Sequence, residues 1–282
     1  ARVYPADAPP NLRVEVTVAS FAFQSKASDV SISRLTVEKY GSRAQEGAIH
    51  AREGSRWSIE NCVVRLNSGA GISVGTGTRV HNCDVHHNGQ IGIEGNGNDI
   101  RMEGNRIWSN NIYGFDPGWE AGGAKIALSN GVTFRGNHVH HNSGPGLWCD
   151  GDCRNVVYED NLVESNQQIG IFHEISFNAV IRRNVVRYNG TGNGSWFWAA
   201  DIVIAASQDV EVTGNTVTVA PDACGIMLID QGRQDDGRKY KTRNNTVRGN
   251  EMTFEGAVCA GGASDTKPEN EKNVDREIGD RK

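Results

Sequence analysis

The chain has 282 residues, a net charge of −5, a pI near 5.9 and 37% hydrophobic residues, enough for one large domain or two ordinary ones with a substantial core. This charge balance leaves no basic surface able to neutralise a run of phosphates, so nucleic acid is excluded as an expected partner. No apolar stretch approaches the roughly 20 residues that cross a bilayer, and residues 1–10 lack a signal-peptide pattern, so no membrane partner is expected.

Residues 1–27 carry no repeat and read as an N-terminal extension or a partial first coil. From residue 28 a unit recurs: apolar, any, apolar, two variable residues, Asn or Cys, any, apolar, two variable residues, Asn. Its first anchor is filled by Cys62, Cys83, Asn105, Asn137, Asn161, Asn184, Asn215 and Asn250, at spacings of 21, 22, 32, 24, 23, 31 and 35 residues. A basic turn of 21 to 24 residues therefore carries three insertions. Five residues after six of the anchors comes a second Asn (Asn67, Asn88, Asn110, Asn142, Asn166, Asn189), and four residues later Gly71, Gly92, Gly114, Gly146 and Gly170.

A fixed period of this length marks a stacked-repeat fold. The 34 Gly and 26 Asn, and the lack of long helix-favouring runs, require frequent and regular turns. A leucine-rich horseshoe would need a helical half in each repeat, and a propeller would need antiparallel hairpins. The unit predicts an all-β, right-handed parallel β-helix of about eight coils over residues 28–262, with Asn and Gly accepting left-handed corners and stacked Asn side chains bonding along the axis. Residues 263–282, charged and nearly without large apolar side chains, read as a polar C-terminal tail.

Cys62 and Cys83 share the anchor position in consecutive coils, and Cys224 and Cys259 both lie nine residues after theirs. Equivalent positions stack about 4.8 Å apart, within disulfide reach, and Cys149 and Cys153 are spaced to close a small loop. Pairing of all six would indicate an oxidising compartment. The alternative is that Cys62 and Cys83 are a reduced, buried stack of small hydrophobes.

Insertions in a solenoid concentrate at its binding face. The coil between Asn105 and Asn137 presents Asp116, Trp119, Glu120 and Lys125 on a Gly-rich loop. Counting from Gly146 and Gly170 puts Trp148 beside Phe172 and Asp150 beside Glu174. If Leu147 and Ile171 point inward, those four side chains share one outer face, with Asp116 in the same column one coil earlier. Two carboxylates about 5 Å apart at an effective dielectric near 20 repel by roughly 3 kcal/mol, about two pKa units, which favours one shared proton. That is what acid–base work on a glycosidic bond requires; a cation such as Ca2+ is the other way to relieve the repulsion. Asp150, Glu174, Glu120 and Lys125 are thus the catalytic candidates, with Asp116, Trp119, Trp148, Asp152, His173, Trp196 and Trp198 as substrate contacts. His173 falls at an inward position, where a core role competes. Three residues after the anchors, Arg65, His86, Trp108, His140, Glu164 and Arg187 form a second outward column that reads as an extended groove.

The segments GWEAGGAK (118–125), GPGLWCDGD (144–152) and GIFHEIS (170–176), with the recurrent GN-V-HN pattern, make residues 28–262 similar to the secreted bacterial right-handed parallel β-helix proteins. The resemblance implies a monomeric protein, secreted or periplasmic, that handles extended carbohydrate. Better-known members are polysaccharide lyases, glycoside hydrolases and uronate epimerases; their catalytic motifs do not map onto this chain, so no residue role is carried over. The expectation is cleavage of a polysaccharide by a hydrolase or lyase, against a non-catalytic carbohydrate-binding or surface scaffold.

Overall fold

The computed structural model describes residues 15–192, 196–235, 238–264 and 276–278. Among the described residues, three parallel sheets of ten, ten and nine strands run from Phe23 to Ile278, each strand pairing with its equivalents in the coils before and after. Sheet one contains Phe23–Gln24, Gly47–His50, Ala70–Val74, Ile91–Asn96, Gly122–Ala127, Leu147–Asp150, Ile171–Glu174, Ala200–Ala205, Cys224–Asp230 and Gly261–Ser264, in that order. This is a parallel β-helix. Among the described residues, nine coils carry a strand in all three sheets, one more than the repeat count, because the coil formed by Phe23–Gln24, Ser31–Ser33 and Thr36–Glu38 lacks the Asn or Cys anchor. Of the C-terminal stretch, Gly261–Ser264 adds a strand to sheet one and Arg276–Ile278 one to the sheet that begins with Ser31–Ser33; residues 265–275 and 279–282 lie outside the described residues.

Alternation along each short strand fills the tube. Ile93, Ala124, Leu147, Ile171 and Ile202 are successive inward residues of sheet one and are buried in a single core, where the Phe134 and Tyr158 rings stack at 4.9 Å. The corners depart from expectation in one respect. The left-handed residue is the one before each ladder Asn: Asn82, Gly104, Gly136, Asp160, Arg183 and Gly214 before the first Asn or Cys, and Leu66, His87, Ser109, His141, Ser165 and Tyr188 before the second. That frees the Asn side chain to point inward. Along the second ladder each Nδ2 donates to the Oδ1 of the next coil's Asn, from Asn67 to Asn189, at 2.9–3.0 Å. That Oδ1 also accepts the preceding Asn's backbone N–H, so buried amides are satisfied without water. Asn105 to Asn250 form the first ladder in the same way.

The glycine column serves this ladder by leaving room for it. A Cβ on Gly146 would lie 2.6 Å from the Gly170 carbonyl and 2.9 Å from Asn166 Nδ2. In the inserted coil Gly123, not Gly114, holds the register, since Ile93 pairs with Ala124. The insertion displaced the count. In the eighth coil Ala220 stands where the next Asn belongs, and Asp201, opposite Gly170 in the neighbouring strand, ends the ladder instead. Its Oδ1 accepts both Asn189 N–H groups, at 3.1 and 2.8 Å, while its Oδ2 is buried without a partner. Burial raises the Asp201 carboxyl to about 7.

Full pairing of the cysteines does not occur. Cys224 and Cys259 form a disulfide across neighbouring coils; Cys62, Cys83, Cys149 and Cys153 are buried free thiols. Cys62 and Cys83 continue the first ladder, with Cys83 Sγ accepting the Cys62 N–H at 3.5 Å, so sulfur does the work of an Asn oxygen.

Candidate functional site

Sheet one's outer face carries the site. Its strands set an outward column of His50, Ser73, Glu94, Lys125, Trp148, Phe172 and Val203, one per coil. Asp150 follows two residues after Trp148, and Glu174 two after Phe172. Three insertions rise around these positions and enclose a cleft of about 330 Å3. Pro117 and Gly118 come from the first insertion, Trp198 from the second and Gln231 from the third; Pro145, Gln168 and Ile169 come from the coil corners, and Trp148, Phe172 and Glu174 from the sheet.

Lys125 organises one end. Its Nζ lies 2.9 Å from Asp150 Oδ2, donates to the Trp119 carbonyl at 2.7 Å, and sits 3.7 Å from the Trp148 ring centroid. A buried ammonium needs such partners. Glu174, buried, pairs with Arg233 Nη1 at 2.6 Å. Its carboxyl is nevertheless raised to about 7, first by burial and then by the Asp150 charge; Arg233, Lys125 and a hydrogen bond from Gln231 pull in the other direction without cancelling them. Arg233 is half-exposed, so solvent weakens its pull. The two neighbouring carboxyls thus sit in different environments, one with a lysine counter-charge and one prone to keep its proton. Lys125 and Arg233 place positive charge beside the two carboxyls. Among the described residues no group of three or more His, Cys, Asp or Glu is arranged to hold a metal ion.

Several expected contacts lie elsewhere. Asp116 is exposed and caps its own loop, with Oδ1 accepting the Gly118 N–H at 2.8 Å; Lys125 takes the column position assigned to it. Glu120 turns toward the N-terminal coils, where Gln45 Nε2 donates to its carboxylate at 2.6 Å and Gln90 Nε2 to its carbonyl at 2.6 Å. Trp119 is 50% exposed, and its carbonyl rather than its ring meets Lys125. Asp152 sits at a left-handed corner facing Arg154, at 3.8 Å. His173 is fully buried, with Nδ1 3.4 Å from the Tyr158 hydroxyl and its pKa lowered to about 3 by burial, so no ligand on the outer face reaches it. Trp198 lines the cleft and meets Phe172 edge-on. Trp196, 45% exposed, packs on Phe197 and Trp198; residues 193–195 of that loop lie outside the described residues.

Trp148 differs most from expectation. Ladder stacking places Lys125 on one face of its ring and Phe172 on the other, at 5.1 Å, so it offers an edge and not a platform. Its Nε1–H is buried without an acceptor. Sequence reasoning missed Arg233, Gln231 and a second acid, Glu94, which is fully buried, paired with Arg52 and Ser73, and raised to about 7 by burial. Glu94 was within reach, since it follows Gly92 by the two residues that separate Trp148 from Gly146. The column expected to form a second groove is closed by its own contacts: Trp108 stacks between His86 and His140 at 4.5 and 5.7 Å, and Arg187 pairs with Glu164 at 2.6 Å.

Residues 46–217 match the family model described as the right handed beta helix region. No curated protein matches the chain. Among solved structures it is similar to the A-module of the mannuronan C-5 epimerase AlgE4 of Azotobacter vinelandii, at 13% identity and a TM-score of 0.62, covering 85% of this chain and 64% of that one. It is similar to XylC, solved in complex with xylose, at 13% identity and a TM-score of 0.53, covering 84% and 53%. It is also similar to the DFA-IIIase of Arthrobacter chlorophenolicus A6 without its lid, at 13% identity and a TM-score of 0.52, covering 86% and 61%. The chain therefore spans under two thirds of the length of these proteins. At such identities the likeness is one of fold.

Proposed function

We propose that this chain, which belongs to the right-handed β-helix family, cleaves glycosidic bonds of an extended polysaccharide in the sheet-one cleft by general acid–base catalysis. The observation that carries this reading is the pair of neighbouring carboxyls with opposed surroundings: Glu174, raised to about 7, and Asp150, 2.9 Å from the Lys125 ammonium. Divergent environments of this kind separate the roles of an acid and its partner. Glu174 protonates the departing glycosidic oxygen; Asp150 activates water or stabilises the positive charge at the sugar carbon. Lys125 holds Asp150 in place. A secreted or periplasmic location is part of the proposal, because polymeric glycans are met there and the Cys224–Cys259 disulfide suits an oxidising compartment.

A polysaccharide panel assayed for new reducing ends and for ultraviolet absorbance tests it. Reducing ends without absorbance support hydrolysis; an absorbing, unsaturated product would mean elimination and reassign the acid–base pair. A second reading, a carbohydrate-binding scaffold without turnover, draws support from the Arg233–Glu174 contact at 2.6 Å, which engages the acid. Binding without any product would favour it.

A further inference from the structure

We infer that the cleft takes an uncharged glycan and discriminates against polyuronates, an inference that rests on the cleft being the carbohydrate site proposed above. A polyuronate presents one carboxylate per sugar, each an acceptor-only group that needs a cation or several donors when it leaves water. The cleft has neither to spare. Among the described residues its lining contains one charged side chain, the acid Glu174. The two cations beside it are committed, Lys125 to Asp150, the Trp119 carbonyl and the Trp148 ring, and Arg233 to Glu174. Releasing Lys125 would leave the Asp150 carboxyl without its ammonium partner, and releasing Arg233 would give up its contact with Glu174.

The buried polar atoms left without partners match a different ligand. Trp148 Nε1 is a donor, while Gln231 Oε1 and Asp150 Oδ1 are acceptors. A sugar hydroxyl donates and accepts, so it satisfies both kinds; a carboxylate, which only accepts, would satisfy the one donor and leave both acceptors unmet. Trp148 contributes through its N–H because both ring faces are taken.

Calorimetric titration of the wild-type protein with xylo-, gluco- and manno-oligosaccharides, and with oligomannuronate and oligogalacturonate of equal length, tests the inference when product formation is followed in the same samples. At least one neutral series should bind ten-fold or more tighter than either uronate, with little dependence on salt. Trp148→Phe, which keeps the ring stack and removes the N–H, should weaken that binding about 10-fold, with the melting temperature confirming that the variant is folded. Tighter binding of a uronate, binding of neither class, or an unchanged affinity in Trp148→Phe would overturn the inference. The two claims fail separately: a uronate bound and cleaved refutes the neutral class and leaves the catalytic proposal standing, whereas a neutral glycan bound and never cleaved does the reverse.

Discussion

The substitution Asp201→Asn should make the protein's stability less dependent on pH. Asp201 ends the second asparagine ladder, 0% exposed, with a pKa raised from 3.8 to about 7 by burial. In the unfolded chain it loses its proton near pH 4, whereas in the fold it retains it to about pH 7. Across that window the folded state holds the extra proton, so stability is fully present below pH 4 and falls as pH rises, by about 1.4 kcal/mol per unit and about 4 kcal/mol in all. The amide oxygen of the replacement side chain accepts the same two N–H groups from Asn189, and an amide has no proton to lose. Glu94 and Glu174, both raised to about 7, steepen the same slope, while His140 and His173, lowered to about 4 and about 3, oppose it at the acid end. The difference between variant and wild type isolates Asp201. Urea denaturation followed by tryptophan fluorescence between pH 4.5 and 8.5 should show the two proteins close together at the acid limit, with the variant more stable by up to about 4 kcal/mol at the alkaline one. A constant difference at every pH would refute the reasoning.

Three further outcomes are expected. Gly146→Ala should lower stability by at least about 2 kcal/mol, because its Cβ would meet the Gly170 carbonyl at 2.6 Å; an unchanged melting temperature would remove the close-packing account of the glycine column. Asn142→Ala deprives the Asn110 N–H and Nδ2 of their acceptor and should cost about 3 kcal/mol in chemical denaturation, whereas a loss under about 0.5 kcal/mol would mean that the ladder repacks. With Glu174 as the acid, kcat/KM should fall about ten-fold per pH unit above its pKa of about 7, and Asp150→Asn, by removing the like charge, should move that limb to lower pH; a limb that stays in place would deny the coupling.

The architecture was legible because the ladders use, at most turns, a residue with two donors and an acceptor oxygen, and that requirement repeats in the sequence. Register failed only where the chain leaves the repeat. The insertion before Gly122 carries Gly114 into the counted position, although Gly123 keeps the strand phase. The side of a strand was readable from alternation, which put Asp150 and Glu174 together; the direction of a loop residue was not, and Asp116 and Glu120 turned elsewhere. Arg233 reaches Glu174 from 59 residues downstream on an insertion without a repeat, so no spacing rule could find it. Cysteine spacing was equally silent on chemistry: stacked sulfurs at Cys62 and Cys83 fit a hydrogen-bonded ladder as well as a bond, and only the geometry separates them.

The central claim is that Glu174 delivers a proton to a bound glycan. Turnover and binding of the same polysaccharide by Glu174→Gln, set beside wild type, test it most directly. Turnover should fall by at least about 100-fold with Kd changed by less than about three-fold, whereas wild-type turnover by the variant would show that Glu174 is not the proton donor.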